Sequence, residues 1–153
     1  MSRVYLVRHG QAAFGTQDYD RLTETGIAQC RQLARHWRAI RRHVDLVFSG
    51  TLRRQHESAD AFVMAAAEEG GIALPVKAVP GFEEYDHLVL LAAHQRATGV
   101  PIAQDDRRAF HRGLSGALQA WAAGELREVE PFPIFRDRCA AALATLMRET
   151  GRG

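Results

Sequence analysis

Residues 4–11 read VYLVRHGQ. Val4 to Val7 form a continuous apolar run, the pattern of a strand buried on both faces as a parallel sheet requires. The run leads directly into Arg8, His9 and Gly10. In α/β folds ligands bind at the C-terminal edge of the sheet, so these residues fall where a site is expected. Downstream, Ile27, Cys30, Leu33, Ala34, Trp37 and Ile40 recur at helical spacing with arginines on the other face. VDLVFS, at 44–49, is a second apolar run. Strand, helix and strand in this order predict a βαβ unit with a right-handed crossover.

The rest of the chain continues as an α/β protein. LRRQHESADAFVMAAAEEGG (52–71) predicts a helix stopped by Gly70 and Gly71. LPVKAVPG (74–81) predicts a short edge strand, because prolines flank it. From about 85 to 130 two helical stretches follow with no strand between them, which reads as a helical insertion within one domain spanning 1–153. A last amphipathic helix begins near Pro133. The length of 153 residues suits a single domain. A net charge of +2 is too mild to point to nucleic acid or an anionic membrane. No run approaches a membrane span and no signal peptide is visible, so a cytoplasmic location is expected. Two cysteines, Cys30 and Cys139, suggest a reducing compartment without a disulfide framework. The oligomeric state stays open.

The chemistry gathers at the predicted sheet edge. A guanidinium offers a planar fork to phosphate or carboxylate, and a neutral imidazole is a competent nucleophile toward phosphorus. Gly10 lets the chain turn tightly away and lets an anion approach. The second apolar run ends in FSGTLRRQHESA (48–59), which brings Ser49, Arg53 and Arg54 to the same edge at a helix N-terminus, an end that favours anions. GFEEYDH (81–87) adds carboxylates. A nucleophile, an arginine clamp and an acid make a constellation for phosphoryl transfer that needs no metal and no cofactor.

Four stretches together resemble the histidine phosphatase superfamily, the phosphoglycerate-mutase-like proteins. LVRHGQ (6–11) is similar to its signature opening. LTETGIAQ (22–29) resembles its Leu-Thr/Ser-x-x-Gly-x-x-Gln helix start. VFSGTLRRQHESA (47–59) resembles its Val-Tyr-Ser-Ser-Pro-Leu-x-Arg-Ala-x-x-Thr-Ala segment, and FEEYDH (82–87) its Leu-x-Glu segment. The resemblance implies a three-layer α/β/α sandwich and a metal-independent phosphomonoester phosphatase acting on a small phosphorylated substrate. It implies His9 as the transiently phosphorylated histidine, Arg8 and Arg54 as phosphate clamps, and Glu84 as general acid. Glu83 is the rival acid, and Arg53 matches a variable position. Two other readings of the scaffold are a weakly catalytic phosphate-binding interaction protein and a mutase-type phosphotransferase.

The chain also departs from the pattern. Ala12 and Gly15 stand where Thr and Asn are common, and Thr51 replaces a proline. The family's second histidine follows a core strand beyond this chain's last helix. RHGQAAFG (8–15) is similar to a bacterial branch in which serine takes that histidine's place. The natural protein is therefore expected to continue past Gly153, leaving strand edges unpaired on the first two predicted strands.

The remaining candidates divide simply. His56, just inside the second helix, and His87, after the acid, are candidate pocket residues. His36 and His43, like His87 and His94, are seven apart, but no third ligand or His-Glu-x-x-His pattern accompanies them, so no metal site is predicted. Cys30, Cys139, Trp37 and Trp121 sit on apolar helix stripes and are expected in the core.

Overall fold

The computed structural model describes residues 3–16, 18–102 and 106–151. The chain gathers into two compact units, one of Met1–Glu83 with Ala142–Gly153 and one of Glu84–Ala141.

The first unit holds α1 (Glu24–Ala39), β1 (Val47–Ser49), α2 (Arg53–Glu68) and β2 (Val76–Ala78). Its strands pair in parallel, Val47 with Val76, Phe48 with Lys77 and Ser49 with Ala78. The Val79 N–H extends the ladder to the Ser49 carbonyl at 2.8 Å. The βαβ unit is thus β1–α2–β2, one element later than the sequence predicts. The Val4–Val7 segment joins no ladder among the described residues. Its side chains are exposed, from 38% at Tyr5 to 80% at Leu6. An apolar run becomes a buried strand only where neighbours cover it and accept its backbone bonds. Here one side chain finds cover: the Tyr5 ring lies 5.0 Å from Trp37, with the Arg42 guanidinium 4.7 Å above it.

α1 and α2 pack side by side through small residues. Ala34 and Ala65 are buried, and Leu22, Cys30 and Ala61 form one apolar cluster. The close approach suits alanine faces, and Trp37 meets Phe62 edge-on at 5.3 Å along their margin. Arg31–Glu68 and Arg35–Glu69 pairs lie on the exposed side, where ion pairs contribute little, roughly 0–1 kcal/mol.

The second unit holds α3 (His87–Thr98), α4 (Arg107–Ala122) and the start of α5 (Phe132–Thr150). The Asp86 carboxylate caps α3 by accepting from the N–H groups of Leu88 and Val89, and Asp106 caps α4 through Arg108 N–H. Gly99 ends α3 in the left-handed region at φ 69°, which a glycine adopts without strain. The core is Leu90, Ala93, Trp121 and Leu126, with Tyr85, Phe132 and Phe135 against it. Trp121 contacts three aromatic rings at 5.1–5.3 Å. Its indole N–H donates to the Glu130 carbonyl at 2.6 Å, so the buried polar atom is satisfied. No described helix is long and apolar enough to cross a membrane.

Candidate functional site

The two residues after His9 are held by α1. Thr23 caps that helix by accepting from Gly26 N–H at 3.1 Å and donates to the Gln11 side chain at 2.9 Å. Gln29, one turn on, accepts the Gln11 N–H at 3.0 Å. Gly26 and the backbone at 10–11 meet so closely that a Cβ at Gly10 would overlap the Gly26 carbonyl, and one at Gly26 the Gln11 carbonyl. Leu22 is buried, and its N–H donates to Glu57 of α2 at 2.7 Å. Thr23, Gly26 and Gln29 of LTETGIAQ therefore all meet the Gly10–Gln11 segment. Residues 11–13 also bond to 21–23 in antiparallel fashion, closing a loop over 14–20.

His9 is half-buried, and its Nδ1 bonds the Gly10 carbonyl at 2.7 Å. A carbonyl only accepts, so this contact puts the proton on Nδ1 and the ring's lone pair on Nε2, the tautomer an attacking imidazole needs. The Gly10 N–H donates to Ser58 Oγ at 3.0 Å, and Ser58 Oγ–H donates to the Arg54 carbonyl at 2.6 Å. Two hydrogen bonds thus tie the residue after His9 to the first turn of α2, beside Arg54.

Arg54 is buried, at 6% exposure. Its Nη1 donates to Asp20 Oδ1 at 2.6 Å, and its guanidinium lies 5.1 Å from the Tyr19 ring centre. Arg53 is exposed and faces other partners, Glu57 at 2.6 Å and Asp18 at 3.0 Å. The Glu57 hydrogen bond first, and Asp18 with it, push its guanidinium above the ordinary arginine value. The two arginines so differ in kind: Arg54 is an inward, packed cation, Arg53 part of a surface ion cluster. Arg8 is exposed.

The α2 N-terminus organises the other groups. Gln55 reaches back to the Leu52 N–H at 3.3 Å and donates to the Phe82 carbonyl at 2.7 Å, which anchors the 81–83 turn. Its amide fills the space a Cβ at Gly50 would need. Glu83 accepts from the Thr51 hydroxyl and from Gly81 N–H at 2.7 Å, the arrangement of a loop anchor. His56 Nδ1 lies 3.2 Å from Ser49 Oγ, and its Nε2 lies 3.6 Å from Asp60. A cleft here is lined by Asp20, Thr51, Arg53, His56 and Glu57 among others, and Arg8, His9 and Arg54 are not among its lining residues. Glu84 and His87 belong to the second unit, Glu84 exposed and His87 half-buried as the first residue of α3.

Sequence reasoning missed Asp20 and Ser58 as site residues. Ser58 carries a signal, since it stands at the threonine position of the HESA stretch. Asp20 carries none, because its contact with Arg54 spans 34 positions.

Neither the curated proteins nor the solved structures searched contain a match to the chain. A family model described as histidine phosphatase superfamily (branch 1) matches residues 4–153. That match accords with the helices and small parallel sheet, and with the α/β phosphoglycerate-mutase-like fold the family implies. With Gly10 and Gln11 held on α1 and Arg54 packed at the α2 N-terminus, the chain belongs to the histidine phosphatase superfamily.

Proposed function

We propose that the protein is a metal-independent phosphomonoester phosphatase working through a phosphohistidine at His9. Superfamily membership supports phosphatase- or mutase-type chemistry on small phosphorylated substrates in general. The observation that carries the narrower reading is the His9 Nδ1 bond to the Gly10 carbonyl at 2.7 Å, which leaves the lone pair on Nε2. Nε2 attacks phosphorus in line and the ester P–O bond breaks. Arg8 and Arg54 balance charge on the equatorial oxygens. The departing oxygen takes a proton from Glu84, which stands two residues after Phe82 in the FEEYDH motif and so matches the family's acid, while Glu83 anchors a loop. Water, giving a proton to the Glu84 carboxylate, then attacks the phosphohistidine; the P–N bond breaks, its electron pair returns to Nε2 and inorganic phosphate leaves. His56 and His87 are proposed as pocket residues, and the 84–141 unit as the part that selects the substrate.

The test is to quench the protein with a phosphorus-labelled aryl phosphate, in the presence of chelator. An acid-labile, base-stable label on His9 is expected. Hydrolysis that stops with chelator, or a turnover without such a label, removes this reading. A second reading is favoured by Asp20 standing on Arg54: phosphate binding without turnover. It predicts phosphate affinity with no label and no hydrolysis.

A further inference from the structure

Arg54, one of the two cations proposed to take a phosphate, already holds an anion. Asp20 Oδ2 accepts from the Arg53 backbone N–H at 2.9 Å, the first N–H of α2. Its Oδ1 accepts from Arg54 Nη1 at 2.6 Å, with the Arg54 backbone N–H at 3.5 Å. Helix-terminal N–H groups together with an arginine fork are what a phosphate oxygen seeks. The carboxylate thus occupies part of a phosphate's seat from inside the chain.

The two partners differ in freedom. The Arg54 side chain is 7% exposed, while Asp20 is 39% exposed. Arg54 is fixed by burial and by Tyr19, whereas Asp20 sits at the end of the 14–20 loop with solvent beside it. An arriving anion therefore moves the aspartate rather than the arginine. A phosphomonoester carries a charge of about −1.5 to −2 and three acceptor oxygens, against one charge on the carboxylate. A dianion gains on exchange where a monoanion does no better than Asp20.

We propose that Asp20 is an affinity- and specificity-setting residue, whose carboxylate holds the α2 N-terminus and Arg54 until a dianionic phosphate displaces it. The inference rests on the phosphate-binding reading above. It makes Asp20 a positioning residue that weakens binding of all anions and of monoanions most.

The experiment titrates orthophosphate, and separately acetate, into wild type, Asp20→Asn and Asp20→Ser by calorimetry. Both variants are expected to bind orthophosphate about tenfold tighter, a change of about 1.4 kcal/mol, and to lose preference over acetate. A merely structural aspartate would weaken binding when replaced. Unchanged or weaker orthophosphate binding in folded variants overturns the proposal, as does no binding in any of the three proteins. Should a variant not fold, wild type alone decides through the carbon-13 shift of the Asp20 carboxyl. That shift is expected to move as orthophosphate saturates, and a signal that stays still overturns the displacement. Aryl phosphate hydrolysis separates the two readings. Tighter variants that hydrolyse nothing keep the inference and end the phosphatase reading. Active wild type with variants that bind no tighter does the reverse.

Discussion

The α2 N-terminus and the aromatic cluster around Trp121 are held together by opposite means. Around α2, order comes from directed polar contacts: Asp20 on Arg54, Ser58 between Gly10 and Arg54, Gln55 on the Phe82 carbonyl. Its nearby core is small, built from Leu22, Cys30 and Ala61. In Glu84–Ala141 order comes from apolar area, with Tyr85, Phe132 and Phe135 against a buried Trp121. Polar contacts fix angles and tautomers, while aromatic packing supplies stability without aiming a group at a ligand. Apart from Glu84, which opens the second unit, residues for chemistry are therefore expected in the first region, and residues whose loss unfolds in the second.

The sharpest break of this contrast is His9→Ala. It should lower kcat/KM for an aryl phosphate by about 10⁴ or more, as loss of a nucleophile does, with the circular dichroism spectrum unchanged. A folded variant that keeps a tenth of its activity would place the chemistry elsewhere. Next comes Trp121→Ala, expected to destabilise its unit by about 3–5 kcal/mol, the usual loss for a buried indole. Hydrogen exchange should speed up in α3 and α4 while α1 and α2 keep their protection. Equal loss in all four helices would erase the distinction between the regions.

The paired carboxylates sharpen the comparison further. Glu84→Gln should lower kcat by about 10²-fold or more, most for substrates with poor leaving groups, as loss of a general acid does. Glu83→Gln should instead cost about 1 kcal/mol of stability, the size of a lost hydrogen bond, with a smaller effect on kcat. The reverse ranking in steady-state kinetics and urea denaturation would exchange their roles. The smallest effect is expected at Leu6, the most exposed residue of the 4–7 run. Leu6→Ser should change stability by less than about 0.5 kcal/mol, as an open surface position does. A loss above 2 kcal/mol on thermal unfolding would mean that this run is buried in solution.

The sequence by itself determined the five helices of the described residues, the strand at 76–78 and the last three residues of the run at 44–49, because helical spacing and flanking Gly and Pro are local signals. It also made the superfamily legible, since RHG, the LTETGIAQ helix start and the arginine of TLRR lie at short range within their own motifs. Only the tertiary structure decided that Val4–Val7 pairs with no strand among the described residues, because an apolar run carries no information about whether a neighbour exists to bond it. The motif register already set Arg54 apart from Arg53, and the tertiary structure supplied the physical difference: a helix turns these adjacent arginines to different sides, one toward Tyr19 and burial, one toward Glu57 and solvent. Tertiary structure alone also brought Asp20 to the α2 N-terminus, because chain reversal across 11–23 makes a contact that no sequence spacing encodes.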